Sequence, residues 1–386
     1  MSKDNKAPKI NNEIRFDVYN ERAPSPFEAK RKKRWTSLDM ARGIAILLMI
    51  LSHCVKGLIH PSRIPDWGII PVHLITKFSS SLFILVFGVS VSLFFIPHIS
   101  KKTWNKKRNW MLKRGIELMI WYKLLTVVQM FQYYPKKMIM DTLWFKRMPD
   151  FVEILSFYAI ALLWLPFFLP HWKKLNWLGK VFTILGTFFL GQWLTQNFDF
   201  WGYKVLKALI AEEKGFYTFG QLQRGALVFL GLFIGDIYKS RRSLKREDNL
   251  VAWSCVGAGS MSLIYFFINH SSNINTHLFK IAKNIGKHPP TFDFISFSVG
   301  GSLLILGICL LLSQKVQNWF KPIYYIGQYS LNAFILHIII IFYFYRYYFA
   351  LHNKVTYHQS LLLTLGCAVT IIVTMYIWTQ IKKAFK

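Results

Sequence analysis

Arg42 and His53 stand eleven residues apart in the first long apolar run of the chain, RWTSLDMARGIAILLMILSHC. Charge inside such a run is costly, so an Arg and a His there point to function. Eleven helical steps of about 100° return to within roughly 20° of the start, so both side chains share one face, about 16 Å apart along the axis. A guanidinium suits the gripping of an anionic or polar group, and an imidazole moves protons near neutral pH. Asp39, three residues before Arg42, joins the stripe and can pair with it at i, i+3. The same Asp39 completes a Thr36-Ser37-Leu38-Asp39 capping box at the helix start, and the two roles are compatible. Cys54 adjoins His53, but neighbours on a helix point about 100° apart, which argues against a Cys/His nucleophile.

The elements that must position this stripe are membrane helices. Of 386 residues, 53% are hydrophobic and 17% aromatic, in repeated long stretches without amphipathic alternation. The chain reads as all-α, a polytopic membrane helix bundle of about ten transmembrane helices, spaced by a length of roughly 20 residues. The expected spans are 36–58, 73–97, 110–131, 151–169, 177–195, 218–238, 250–269, 292–313, 323–348 and 360–381. Trp35, Trp67, Trp110 and Trp144 fall where interfacial belts belong.

A net charge of +30 raises the thought of nucleic acid, but the basic residues fall between spans and mark topology, so no nucleic-acid partner is expected. Lys30–Arg34, Lys101-Lys102 with Lys106–Arg108, Lys173-Lys174, Lys239–Arg246 and Lys382-Lys383 share one side under a ten-span count, and that side, with both termini, is assigned to the cytoplasm. Lys136, Lys137, Lys146 and Arg147 fall on the other side, so the rule holds as a majority. Residues 1–33 read as a flexible basic cytoplasmic tail and 34–386 as a single transmembrane domain. The first apolar run starts too late and is too long for a cleavable signal peptide. The cysteines Cys54, Cys255, Cys309 and Cys367 lie inside spans without paired spacing, so neither a disulfide framework nor a metal site is expected.

Within SLDMARGIAILLMILSHC, the Arg-x10-His pattern resembles that of the acyltransferase-3 membrane proteins and their heparan-α-glucosaminide N-acetyltransferase-like relatives. SLFILVFGVSVSL (81–93) is similar to the family's second helix, and KRGIEL (113–118) to the basic start of its third. GKHPPTFDF (286–294) resembles the Pro-Pro segment of the heparan-type branch, and IGQYSLNAFILH (326–337) the Gly-x-x-Ser…His pattern of both branches. The resemblance covers residues 34–381 and carries the family's usual count of about ten helices.

The resemblance implies transfer of an acyl group, usually acetyl, from cytoplasmic acyl-CoA to a hydroxyl or amine of an acceptor at the outer face. That acceptor is commonly a glycan, free or lipid-linked. An integral protein of the bacterial inner membrane is the default setting, with an intracellular eukaryotic membrane as the alternative. Acyl-CoA is then a co-substrate, and the lipid bilayer a partner. Lys113 and Arg114 are candidates for the CoA phosphates, with Arg42 steadying the donor deeper in and His53 acting either as general base or as a transient acyl carrier. The heparan-type branch carries Asn at the position of His53 and its His farther out, which makes His60 the second choice and His73 the third. His337 shares a helical face with Ser330, and both are supporting candidates beside Asp39. Arg224, Gln223 and Asp236 are further intramembrane polar groups, and a carrier or flippase, or a non-catalytic scaffold, is the rival reading of such a bundle.

Overall fold

The computed structural model of the protein describes residues 35–216, 218–243, 249–312 and 319–385. The expected tail of residues 1–33 lies outside these, as does part of the Lys239–Arg246 cluster. From Thr36 onward the chain forms one compact unit, and the described residues contain helices and turns but no strand.

Helix α1 (Thr36–Leu58) carries Asp39 in its first turn and Lys56 in its last, each matched in sign to the end of the helix dipole it meets. A π-helical stretch, Ile69–His73, precedes α2 (Phe78–Phe94). Then come α3 (Trp104–Met130), the short α4 (Lys136–Leu143), α5 (Glu153–Lys174), α6 (Trp177–Asn197), the short α7 (Lys204–Ala211) and α8 (Gly225–Ser243). Next are α9 (Asn249–Asn269), the short α10 (Ile274–Ala282) and α11 (Phe292–Leu311). The C-terminal part holds α12 (Lys321–Gln328), α13 (Ser330–Ile338), a π-helical continuation Ile339–Tyr348 and α14 (Tyr357–Ala384). Side-chain caps fix three starts: Asn176 accepts from the Gly179 amide at 2.8 Å, Thr291 from the Phe294 amide at 3.3 Å and Thr356 from the Gln359 amide at 3.3 Å.

Seven segments are long and apolar enough to cross a membrane: 36–58, 66–98, 153–174, 249–269, 292–311, 330–348 and 357–382. Each coincides with an expected span. The other three expected spans fall on α3, α6 and α8, which are long helices but miss that apolar criterion among the described residues. Lys106, Lys107, Arg108, Lys113, Arg114, Glu117 and Lys123 load α3 with charge, while Thr, Gln and Gly dilute α6 and Asp236 interrupts α8. On α9 and α14 only 28% of the apolar window is buried by protein, so residues such as Met261, Ile264, Leu365 and Val369 turn outward to meet lipid chains.

Small residues set the closest helix crossings, as expected where burial from water no longer drives packing. A Cβ on Gly327 of α12 would stand 1.6 Å from the Asp39 carbonyl oxygen of α1, so only glycine fits. The expected single helix over 323–348 is broken at Tyr329 (φ −115°, ψ 41°). On an unbroken helix Gly327 and His337 would point about 80° apart. The break lets both face α1, Gly327 against Asp39 and His337 against His53.

Candidate active site

His53 is buried, and its Nδ1 lies 3.0 Å from Nε2 of His337. The Nδ1 of His337 faces the Ala333 carbonyl one turn back at 3.3 Å. A carbonyl can only accept, so His337 Nδ1 carries the hydrogen, and in the neutral ring its Nε2 is left with a lone pair. His53 Nδ1–H therefore donates to His337, which leaves His53 Nε2 as an unprotonated base. Phe151 meets the His53 ring edge-on at 5.2 Å, and Phe334 meets His337 at 4.8 Å, so both imidazoles are held in place by aromatic walls. Cys54 directs its thiol to the Ser360 carbonyl and takes no part in the pair.

Charged groups from several parts of the fold converge near this pair. Lys287, in the segment between α10 and α11, donates to Glu153 Oε1 of α5 at 2.9 Å, while Glu153 Oε2 is buried without a partner. Lys287 and Lys56 both lie within electrostatic reach of His53. Glu212, fully buried after α7, takes Arg224 at 3.1 Å and His288 at 3.0 Å, and Arg224 also donates to the Lys287 carbonyl at 2.6 Å. Lys77, the residue before α2, donates to Asn284 at 2.7 Å.

Burial raises the Glu212 carboxyl, but Arg224 and His288 more than offset this and hold it below the usual carboxylate value. Burial likewise keeps His288 below an ordinary imidazole despite the Glu212 contact. Asp150 has open surface, yet the protein crowded around it, with Glu153 next in effect, pushes its carboxyl up to about 6. Phe151 (φ 68°), Glu212 (φ 62°) and Asn284 (φ 63°), all at this site, adopt left-handed backbone that non-glycine residues disfavour. Such strain persists where the surrounding structure enforces a geometry, and it gathers at functional sites.

Arg42 marks the opposite end of the stripe. Its guanidinium donates to Asp39 at 2.9 Å and to the Ser90 hydroxyl of α2. Ser90 lies beside Arg42, and antiparallel pairing of α1 and α2 puts Phe83 and Phe87 at levels between Arg42 and His53. The Tyr158 ring of α5 packs on both, and its buried hydroxyl has no partner. Two residues beyond Ser90, Ser92 donates to Asp236 at 2.7 Å, and Asp236 also accepts from Trp172 at 3.0 Å and Lys180 at 2.5 Å. It lines a cleft of about 270 Å³ with Lys173, Lys180 and Lys239.

The structure thus joins His53 with His337, and Arg42 with Asp39. Lys113 is exposed on α3, and Arg114 pairs with Glu117 at 2.5 Å. His60 is exposed on the turn after α1, bonded to Ser62 at 2.8 Å, and His73 is buried with neither ring nitrogen partnered. Ser330 begins α13, half-buried, and the break at Tyr329 separates it from Gly327. Sequence reasoning missed Glu153, Lys287, Glu212, His288 and the basic cleft. A lone acid opening an apolar run was the available signal for Glu153, and Lys287 and His288 sat unread inside the Pro-Pro segment.

A buried imidazole pair and an arginine inside a bundle of helices apolar enough to cross a membrane describe a membrane protein with a proton-transfer group in its interior. The acyltransferase-domain model of the acyltransferase-3 family matches residues 35–379, and the chain belongs to that family. No curated protein matches it.

Proposed function

We propose that this membrane acyltransferase moves an acyl group, acetyl in the simplest case, from cytoplasmic acyl-CoA to a hydroxyl or amine of a glycan or lipid-linked acceptor at the outer face of a bacterial inner membrane. The observation that carries the reading is the 3.0 Å contact between His53 Nδ1 and His337 Nε2, which leaves His53 Nε2 free to accept a proton. The acceptor oxygen or nitrogen attacks the thioester carbonyl as its proton passes to His53 Nε2. The tetrahedral intermediate collapses by breaking the C–S bond, and the imidazolium returns the proton to the departing CoA sulfur. His337 accepts from the imidazolium throughout and keeps the ring in one orientation. The ammonium groups of Lys56 and Lys287 favour the negative charge that develops on the carbonyl oxygen.

The unpartnered Glu153 oxygen is placed to receive a hydrogen bond from an acceptor hydroxyl. At the other end Arg42, with Lys113 and Arg114 near the surface, offers cations to the donor, and Lys173, Lys180 and Lys239 add three amines that phosphates could meet. The test is acetyl-CoA binding and acetyl turnover by purified protein in detergent, comparing wild type with His53→Ala and Arg42→Ala. The reading expects Arg42→Ala to weaken donor binding and His53→Ala to bind donor without turning it over. If folded wild type binds no CoA thioester, the reading fails.

A further inference from the structure

Away from the His53 pair, three consecutive elements bring together two imidazoles and a carboxylate. His270 follows the end of α9, His277 lies on α10, and Asp293 occupies the first turn of α11. His270 Nε2 is 3.1 Å from Asp293 Oδ1, and His277 Nδ1 is 3.7 Å from Asp293 Oδ2. One donor atom from each of the three lies within 4.8 Å of the others. All three side chains are only partly exposed, and Phe266 walls one side, its ring 5.0 Å from that of His270.

We infer that His270, His277 and Asp293 form a binding site for a divalent transition-metal ion, zinc being the natural occupant for this donor set. Bonds of about 2.0–2.2 Å to a tetrahedral ion place neighbouring donors roughly 3.3 Å apart; the two His–Asp separations, 3.1 and 3.7 Å, bracket that spacing, and the three donors lie within 4.8 Å of one another. Imidazole nitrogen and carboxylate oxygen are both good ligands for zinc, and three protein ligands leave a position for water. The two rings are stacked at 3.7 Å and 18°. An ion must lie in the plane of each ring it binds, so loading turns the imidazoles out of their stack toward a shared point.

The ion would clamp the base of the segment from α10 to α11. That segment carries Lys287 to Glu153, His288 to Glu212 and Asn284 to Lys77. Metal binding therefore orders an arm that reaches the candidate active site, while its ligands stay outside the acyl-transfer residues. The inference stands whether or not the proposed transfer is correct.

The experiment uses the full chain in detergent, stripped with a chelator and titrated with zinc by calorimetry. Wild type is compared with His270→Gln, His277→Gln, Asp293→Asn and the double variant His270→Gln/His277→Gln. Wild type should bind one equivalent, and each single variant should lose more than about tenfold in affinity. Zinc should slow amide exchange across residues 274–291 in wild type and leave it unchanged in the double variant. Cobalt should give visible ligand-field bands in wild type that the double variant lacks. Folding is monitored by circular dichroism and elution volume, and the conservative, partly exposed His277→Gln alone is sufficient for the comparison. Equal zinc uptake by wild type and folded His277→Gln, or no uptake by wild type, overturns the site.

Discussion

The carboxylates at the two ends of the stripe are satisfied to different degrees. At the Arg42 end Asp39 holds Arg42, and Asp236 takes three donors, one from each of α2, α5 and α6. At the His53 end one oxygen of Glu153 and both ring nitrogens of His73 are buried without partners, and Asp150 stands near 6. Buried polar groups are normally paired, so a cluster left incomplete awaits partners from outside the protein. The saturated end holds its own side chains in place, whereas the other end leaves a carboxylate oxygen and two ring nitrogens open to hydrogen bonding.

His53→Ala tests that contrast most severely. Acyl turnover should fall by about 10²–10⁴-fold, the range for removal of a proton-transfer group, with donor affinity preserved. Turnover and donor affinity measured on one preparation separate the two effects, and an equal loss of both would merge the two ends into one site. His337→Ala should cost about 10- to 100-fold in turnover, the usual toll for removing a group that orients a functional imidazole. His337→Gln, whose amide oxygen can still accept from His53, should recover part of it, and a pH–rate profile unchanged in both variants would deny His337 an orienting role. Arg42→Ala should weaken donor binding by about tenfold, as for the loss of one charged hydrogen bond, and leave acceptor binding intact. Isothermal titration with acetyl-CoA decides it.

Asp150→Asn should have the smallest effect, and it should depend on pH. The folded carboxyl titrates near 6, above its unfolded value of about 3.9. The folded state thus binds the proton more tightly, so this residue favours folding below about pH 4 and progressively loses that advantage as pH rises through 6. Replacement by Asn should raise the thermal midpoint at pH 7 or above and leave it unchanged at pH 4. A shift of the same size at both pH values would show that the Asp150 carboxyl does not titrate near 6.

The stripe from Asp39 to His53 was readable because one helix carries it and helical phase is a property of local sequence. His337 was readable as a candidate for the same reason, but its contact with His53 depends on a break at Tyr329 that no proline or glycine marks at that residue. Glu153, Lys287 and Glu212 lie more than fifty residues from one another in the chain and meet only because turns fold inward. No periodicity encodes such a meeting. The helices α3, α6 and α8 were placed by length, yet their charges and small polar residues hide them from an apolar criterion. The pair His270 and His277 escaped notice because metal sites were sought through cysteine spacing, and Asp293 joins them only where α9, α10 and α11 converge.

The broken helix has one more consequence. Gly327 presses on the backbone beside Arg42, and His337, ten residues on, holds the ring of His53, so a single stretch of chain works as a gauge block set between both ends of α1. If a donor displaced α12 at one end, this stretch would carry the shift toward the imidazole pair at the other. The two substrates would then sense each other's presence, and the Michaelis constant for acceptor would vary with donor concentration in wild type. Lengthening the block by one residue at Tyr329 should abolish that dependence.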